Sequence, residues 1–306
     1  MTVMTAVRDA LARAEPAWVM LAIAIYVVSV AVVAFRWRTM IAGVTGTRVP
    51  FGPLVLATLA SSFVNNVTPA ARLSGEACRV VALVRMRVAT TAQATAVAAY
   101  ERLTEAPAVV LLALAAFFVV GRFESTSLTS LTSLIPGAAA AAIAGALLVL
   151  SAALYVARGV LARAWRRLAD RWRQLGSISV APSTLGTTAA LSGVVWLLDV
   201  LRLAIVAAAF GAPIGPLRAA ALAAITIVAG WVPTIGGLGA VEGGLVAGLV
   251  SFGVTPADAV AITIVERAMS YGLATVAGAG ALSLLGGRSL WNAVRMRAPL
   301  AGGAAS

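Results

Sequence analysis

Residues 65–79 read Asn-Asn-Val-Thr-Pro-Ala-Ala-Arg-Leu-Ser-Gly-Glu-Ala-Cys-Arg and lie between two apolar runs. The stretch contains Pro69 and Gly75 and three charged side chains, Arg72, Glu76 and Arg79. At membrane depth, charged groups and non-helical backbone are tolerated only where they are buried in protein or line a water-filled cavity. The stretch is therefore either a broken helix beside a cavity or a loop at the membrane edge.

The composition around this stretch is typical of a membrane protein. Of the 306 residues, 61% are hydrophobic and 11% are charged, and the mean hydropathy is +0.99. Several apolar runs approach about 20 residues, the length that crosses a bilayer core as a helix. The runs are continuous rather than alternating, which favours helices over strands. The sequence thus predicts an all-α polytopic membrane protein.

Missing residue types narrow the chemistry. The chain has no histidine and no lysine, so all 23 positive side chains are arginines, and Cys78 is its single cysteine. These absences exclude a histidine base, a phosphate-binding P-loop lysine and an intrachain disulfide. We expect no cofactor, no metal and no catalytic constellation. The net charge of +12 does not indicate nucleic acid, because the arginines follow a membrane pattern.

The predicted spans alternate with polar segments. The first runs from Pro16 to Phe35 and ends in an interfacial anchor, Arg36-Trp37-Arg38. The next contains Glu101, Arg102 and Glu105, followed by a helix-kinking Pro107. In order, the predicted full spans are residues 16–35, 89–120, 137–157, 185–210 and 257–285, and residues 54–64 and 80–84 are half-helices that flank the opening stretch.

A second interruption makes the two halves of the chain resemble each other. Residues 233–242 read Pro-Thr-Ile-Gly-Gly-Leu-Gly-Ala-Val-Glu and also separate two apolar runs. In each half a glutamate follows the break, and a Glu-Arg pair follows in the next span. Glu101 lies 25 residues after Glu76, and Glu266 lies 24 residues after Glu242. The pattern predicts inverted repeats, each with a re-entrant broken-helix hairpin, within five to eight membrane helices.

Charge predicts the orientation. With both breaks as re-entrant hairpins, the basic clusters fall on one side, which the positive-inside rule assigns to the cytoplasm. The predicted units are residues 1–157 (first repeat and a linking span), 158–183 (basic amphipathic cytoplasmic linker), 184–287 (second, inverted repeat) and 288–306 (cytoplasmic tail). We expect a multi-pass protein of the cell membrane, with its 158–173 loop and C-terminus in the cytoplasm.

Three motifs resemble one family. They are Asn66-x-x-Pro69-x-x-Arg72-x-x-Gly75-Glu76-x-x-Arg79, Tyr100-Glu101-Arg102 and Pro233-x-x-Gly236-Gly237-Leu238-Gly239-x-x-Glu242. They resemble the lysylphosphatidylglycerol synthase/flippase transmembrane family, and the likeness extends from the first span to Leu285. It implies translocation of a charged phospholipid or a polyprenyl- or glycolipid intermediate. The soluble aminoacyl-transferase domain of the synthases has no counterpart in this sequence, so lysyl transfer is not implied.

The candidate site collects the rare intramembrane polar residues. Arg72 and Arg79 are candidate ligands of a lipid phosphate, or else they form a self-neutralising cap with Glu76. The two Glu-Arg pairs form either a polar midplane site or buried ion pairs between helices, and Asp199 and Arg202 are expected to form a structural pair. The glycines of the second break either permit close backbone approach or offer amides to a ligand. The predicted phosphate-lipid site comprises Asn66, Arg72, Glu76, Arg79, Glu101, Arg102, Gly236, Gly237, Gly239, Glu242, Glu266 and Arg267.

These features favour a lipid flippase or a transporter of lipid-linked precursors. The expected partners are membrane lipids, either anionic or of the polyprenyl or glycolipid type. The alternatives are a membrane-embedded glycosyltransferase or other lipid-modifying enzyme, a small-solute secondary transporter, and a scaffold without transport. The near balance of intramembrane arginines and acids argues against an ion channel with a ring of one charge sign.

Overall fold

A computed structural model describes residues 3–68, 73–123, 178–230 and 234–286. Within these ranges every regular element is helical, as the composition predicts. The chain divides into two compact units, Met1–Ala116 with Val180–Ser306, and Phe117–Ser179. Of the second unit the structure describes only residues 117–123, at the end of a helix, and residues 178–179.

The first half of the chain contains two short and three longer helices. These are α1 (Val3–Arg13), α2 (Pro16–Thr45), α3 (Phe51–Val67), α4 (Leu73–Arg85) and α5 (Thr91–Phe123). Helix α2 begins with proline, whose missing N–H costs nothing in a first turn. It ends at Gly46, which has a φ of 71° and donates its backbone N–H to Ala42.

The described part of the second half contains four helices. Its helices are α6 (Pro182–Ala209), α7 (Pro216–Ala229), α8 (Ala240–Ser251) and α9 (Pro256–Leu284), with a 3₁₀ turn at Ile235–Gly237. Helix α9 contains a π-helical segment, Ala268–Leu273, just after its Glu-Arg pair. Like the first interruption, the second one separates two short helices, here α7 and α8.

Among the described residues, three helices are long and apolar enough to cross a membrane. They are α2, α6 and α9, while α3, α7 and α8 are shorter apolar helices. The predicted spans 185–210 and 257–285 agree with α6 and α9 to within three residues at each end. The predicted span 137–157, the basic loop 158–173 and the tail 288–306 lie outside the described residues.

The predicted interfacial anchor at Arg36-Trp37-Arg38 is wrong. Helix α2 continues beyond it to Thr45, and only 5% of Arg36 and 1% of Trp37 are exposed. Arg36 can be buried because it finds two carboxylates on α5 and the Ser192 hydroxyl on α6. A buried arginine with such partners belongs to the protein interior rather than to the lipid–water boundary.

The two halves pack against each other through small residues. Helix α2 lies along α6, and α3 lies along the last part of α9. A Cβ atom added at Gly278 of α9 would lie 2.4 Å from the Leu59 carbonyl oxygen of α3. Such glycines let helix backbones approach closely, which is how membrane helices gain packing energy without a hydrophobic driving force. This packing brings the polar segments of both halves together.

Candidate functional site

A polar cavity of about 350 Å³ lies among helices α2 to α9. Residues from both halves of the sequence line it. Its charged lining comprises the arginines Arg36, Arg79, Arg102, Arg202 and Arg267 and the acids Glu76, Glu101, Glu105, Asp199 and Glu266. Each of these side chains has an ion-pair partner, so the cavity is charged but balanced.

The first break is held together by Asn65. Its side-chain oxygen accepts a hydrogen bond of 2.7 Å from the backbone N–H of Gly75, in the first turn of α4. Thr68 donates to the Val64 carbonyl at 2.6 Å and is also hydrogen-bonded to Ser74. These polar residues satisfy groups that a helix start otherwise leaves without partners. They join the end of α3 to the start of α4, so that Glu76 and Arg79 face α5.

Glu101 is the centre of the charge network in the first half. It is 2% exposed, and its carboxylate lies 3.4 Å from guanidinium nitrogens of both Arg36 and Arg79. Arg79 also donates to the Ser61 hydroxyl at 3.2 Å and stacks over Trp37, 5.5 Å from the ring centroid. Two cations therefore share one buried carboxylate.

Arg102 connects α5 to α4. It pairs with Glu76 of α4 and, at 2.8 Å, with Glu105 one turn further along α5. Its side chain is 51% exposed, so this network lies at the open part of the lining. Glu76 and Arg79 thus direct their ion pairs to α5 and not to each other, while Arg72, the third residue of the predicted cap, lies outside the described residues.

The second half builds corresponding pairs. Glu266 is buried and accepts a 2.6 Å hydrogen bond from Arg202 of α6. Arg202 also pairs with Asp199 at 3.3 Å, as the sequence predicts, but its shorter contact is with Glu266. Here one cation is shared by two acids, the reverse of the arrangement at Glu101.

Arg267 joins α9 to the second break. Its Nε lies 2.6 Å from the Glu242 carboxylate of α8, and its NH2 donates to the Gly236 carbonyl at 3.0 Å. The guanidinium also stacks on Tyr271, 4.9 Å from the ring centroid. One side chain therefore holds both the unwound turn and the start of α8.

The glycines of the second break differ in their surroundings. Gly236 has a φ of 59°, and an added Cβ would lie 2.2 Å from the Tyr271 ring and 3.0 Å from the Asn66 carbonyl oxygen. Gly239 donates its backbone N–H to Glu242 at 2.7 Å. Close backbone approach therefore applies to Gly236, whereas an added Cβ at Gly239 has no neighbour within 4 Å and the Gly239 amide is already paired.

Asn66 ties the two halves together. Its side-chain amide donates to Thr275 at 2.9 Å and to the Tyr271 carbonyl at 3.3 Å, and the Tyr271 hydroxyl donates to the Asn66 carbonyl at 3.2 Å. The first break thereby contacts α9 beside its π-helical segment. A predicted ligand residue is thus also a contact between the halves.

Polar atoms without hydrogen bonds concentrate at the cavity. Among the described residues, eight buried side-chain nitrogens or oxygens have no hydrogen-bond partner: Arg36 Nε, Thr58 Oγ1, Glu76 Oε2, Glu101 Oε1, Trp196 Nε1, Arg202 Nε, Thr234 Oγ1 and Glu266 Oε2. All eight residues line the cavity. Burying such atoms without partners costs about 1–3 kcal/mol each. The cavity is therefore suited to a polar occupant.

The sequence profile of the lysylphosphatidylglycerol synthase TM region matches residues 2–278. The chain belongs to this family. Family membership agrees with the resemblance of the three motifs and with the membrane class that the apolar helices indicate.

Two archaeal relatives support the assignment. A UPF0104 membrane protein of Methanothermobacter thermautotrophicus is 27% identical over 310 aligned positions, covering 92% of this chain and 89% of the relative. A UPF0104 membrane protein of Pyrococcus horikoshii is 26% identical over 294 positions, covering 87% of this chain and 86% of the relative. The similarity of this member of the lysylphosphatidylglycerol synthase transmembrane family to both relatives thus spans nearly the whole chain.

The cavity of this family member contains most, but not all, of the predicted site. Nine of the predicted residues line it: Asn66, Glu76, Arg79, Glu101, Arg102, Gly236, Gly237, Glu266 and Arg267. Glu242 and Gly239 are not part of this lining, and Glu242 acts through its ion pair with Arg267. Arg72 lies outside the described residues.

The site predicted from the sequence did not include Arg36 or Arg202, although Arg202 was expected to pair with Asp199. Both line the cavity and pair with the glutamate of a Glu-Arg motif. A signal for them existed in the repeat, because Arg36 precedes Glu101 by 65 residues and Arg202 precedes Glu266 by 64. The position of Arg36 next to Trp37 instead favoured an interfacial anchor.

Proposed function

We propose that this protein translocates a phosphate-bearing lipid or a lipid-linked precursor across the membrane. The observation that carries the proposal is the paired-charge cavity, which is lined by eight residues with buried polar atoms that lack hydrogen-bond partners among the described residues. Its volume of about 350 Å³ is near the lower end of the range for ligand pockets, about 300–1,000 Å³. Such a cavity accommodates a head group, while the hydrocarbon chains stay in the bilayer.

Arginine chemistry supports a phosphate in the cavity. A guanidinium binds phosphate oxygens through two parallel hydrogen bonds, as it binds carboxylates. Arg36 and Arg202 have buried Nε atoms without partners among the described residues, and Arg79 is held against Trp37. A lipid phosphate that enters the cavity competes with Glu101 for Arg36 and Arg79. Because two cations face the one carboxylate of Glu101, a phosphate that binds one arginine leaves the other paired with Glu101.

The transport mechanism that we infer uses the inverted repeats. In this scheme α3–α4 and α7–α8 are re-entrant hairpins that enter from opposite sides of the membrane. The recurring pairs Glu76–Arg102 and Glu242–Arg267 support the repeat, since each connects the helix after a break to a Glu-Arg motif. Rocking of one repeat against the other exposes the cavity to each side in turn. From the positive-inside rule we infer that the protein lies in the cell membrane, with the 158–173 loop and the C-terminus on the cytoplasmic side.

A proteoliposome assay tests the proposal. Arg79→Gln removes one cavity cation but leaves Glu101 paired with Arg36. The matched control is Arg38→Gln on α2, whose Nε donates to the Val49 carbonyl and which does not line the cavity. We expect Arg79→Gln to slow head-group translocation by about tenfold or more, since a hydrogen bond to a charged group contributes about 1.5–3 kcal/mol.

The result can also contradict the proposal. Equal translocation by the wild type, Arg79→Gln and Arg38→Gln would remove the assigned role of the cavity. Mass spectrometry of lipids retained by the purified protein identifies the head group. A change of lipid mass during incubation would instead support the lipid-modifying enzyme, and uptake of a soluble solute without lipid movement would support the solute transporter.

A further inference from the structure

A second, apolar groove meets the polar cavity at Arg267. The groove has a volume of about 430 Å³ and lies between α8 and α9. Its lining includes Val246 of α8 and Ile264, Ala268 and Gly272 of α9. Arg267 lines both the groove and the polar cavity. One guanidinium therefore marks the boundary between a hydrocarbon-lined and a charge-lined space.

The groove opens on the surface of a helix that is long and apolar enough to span a membrane. Ile264 is 46% exposed and Ala268 is also exposed. At such a surface the surrounding medium is lipid, so an apolar groove there is occupied by hydrocarbon. Ala268 and Gly272 leave the groove unfilled, since neither has a long side chain. Both residues belong to the π-helical segment, Ala268–Leu273.

We propose that the α8–α9 groove binds a hydrocarbon chain of the same lipid whose head group occupies the polar cavity. The inference rests on the proposed function and names a binding site for the chain. Arg267, held between Glu242 at 2.6 Å and the Gly236 carbonyl at 3.0 Å, lies where that chain leaves the polar cavity. The lipid thereby spans the boundary with its polar end in the cavity and one chain outside it.

Gly272 permits a clean test of this site. An added Cβ there would lie 3.9 Å from the Arg267 carbonyl oxygen, which is an ordinary van der Waals distance. Gly272→Leu therefore fills the groove without a steric clash at Cβ, and leucine is a better helix former than glycine. The matched control is Gly280→Leu on the same helix, where the added Cβ has no neighbour within 4 Å and the position is exposed.

The experiment uses the full chain in nanodiscs with a phospholipid that carries a photoactivatable diazirine in one acyl chain. We expect adducts at Val246 and Ile264 to exceed those at Val27 and Val28, an exposed apolar surface of α2. Gly272→Leu should lower the groove adducts by about tenfold, the change that lost contact with a few methylene groups produces. Gly280→Leu should leave them unchanged. Competition by unlabelled diacyl phospholipid or by polyprenyl phosphate distinguishes the acyl from the isoprenoid source.

The outcomes separate the two proposals. Equal adducts on α2 and in the groove, or groove adducts insensitive to Gly272→Leu, would overturn the chain-binding site even if lipid is translocated. Selective, Gly272-sensitive adducts support the site. If they occur without any head-group translocation in proteoliposomes, the proposed transport fails while the binding site stands.

Discussion

The two halves of the molecule carry the same pairings with opposite charge excess. In each half a helix before the break supplies an arginine to a buried glutamate, as Arg36 does to Glu101 and Arg202 does to Glu266. In the first half a second arginine, Arg79, joins this glutamate. In the second half a second acid, Asp199, joins the arginine. We call Arg36, Arg79 and Glu101 the cation-rich centre, because two arginines share one acid. We call Arg202, Asp199 and Glu266 the acid-rich centre, because two acids share one arginine.

The two centres differ in the chemical groups that they attract. A phosphate is attracted to the centre that has two arginines, because each can form charge-assisted hydrogen bonds to it. The acid-rich centre favours a cationic or hydroxyl group. For the lipid of the proposed function, we therefore propose that the two halves contact different parts of its head group.

The largest effect on the free energy of unfolding is expected when the arginine of the acid-rich centre is replaced. Arg202→Gln leaves Glu266 buried without the cation that contacts it, and we expect a loss of about 3–5 kcal/mol in the free energy of unfolding. The matched change Arg36→Gln leaves Glu101 paired with Arg79, so its expected cost is about 1–3 kcal/mol. Unfolding in mixed micelles by a denaturing detergent measures both. Equal losses would show that the second arginine does not support Glu101.

The two breaks should differ in their tolerance of a methyl group. Gly236→Ala places alanine at a φ of 59° and against the Tyr271 ring, so we expect a cost of about 1–3 kcal/mol from strain alone. In Gly75→Ala the three atoms nearest to the new Cβ belong to the side chain of Asn65, which can rotate away. This rotation breaks the hydrogen bond that caps α4, and we expect it to cost about 0.5–2 kcal/mol in the free energy of unfolding. Thermal unfolding ranks the two variants. A costlier Gly75→Ala would contradict the comparison.

The smallest expected difference concerns the pairs after each break. Glu242–Arg267 is largely shielded, with Arg267 16% exposed, whereas Arg102 of the Glu76–Arg102 pair is 51% exposed. Double-mutant cycles with glutamine should give a coupling energy of about 1–2 kcal/mol for the former and about 0.2–1 kcal/mol for the latter. High salt should weaken only the exposed pair. Equal couplings would show that exposure does not distinguish these pairs.

The sequence was sufficient for the class of protein and for the positions of its polar interruptions. Continuous apolar runs predict α6 and α9 to within three residues, and proline and glycine mark where short helices meet. These features are local, because helix length, apolar content and backbone freedom depend on residues near one another along the chain. The family motifs at Glu76, Glu101 and Glu242 are local in the same sense.

The choice of ion-pair partners was decided by the tertiary structure. Arg202 and Glu266 are 64 residues apart, and Arg79 and Glu101 are 22 residues apart. Which arginine reaches which carboxylate depends on the faces that α2, α4 and α6 turn toward the cavity, and the packing of α2 along α6 orients two of these helices. Arg36 shows the limit: beside Trp37 its sequence is typical of a membrane interface, yet packing of α2 against α5 and α6 makes it part of the buried cavity.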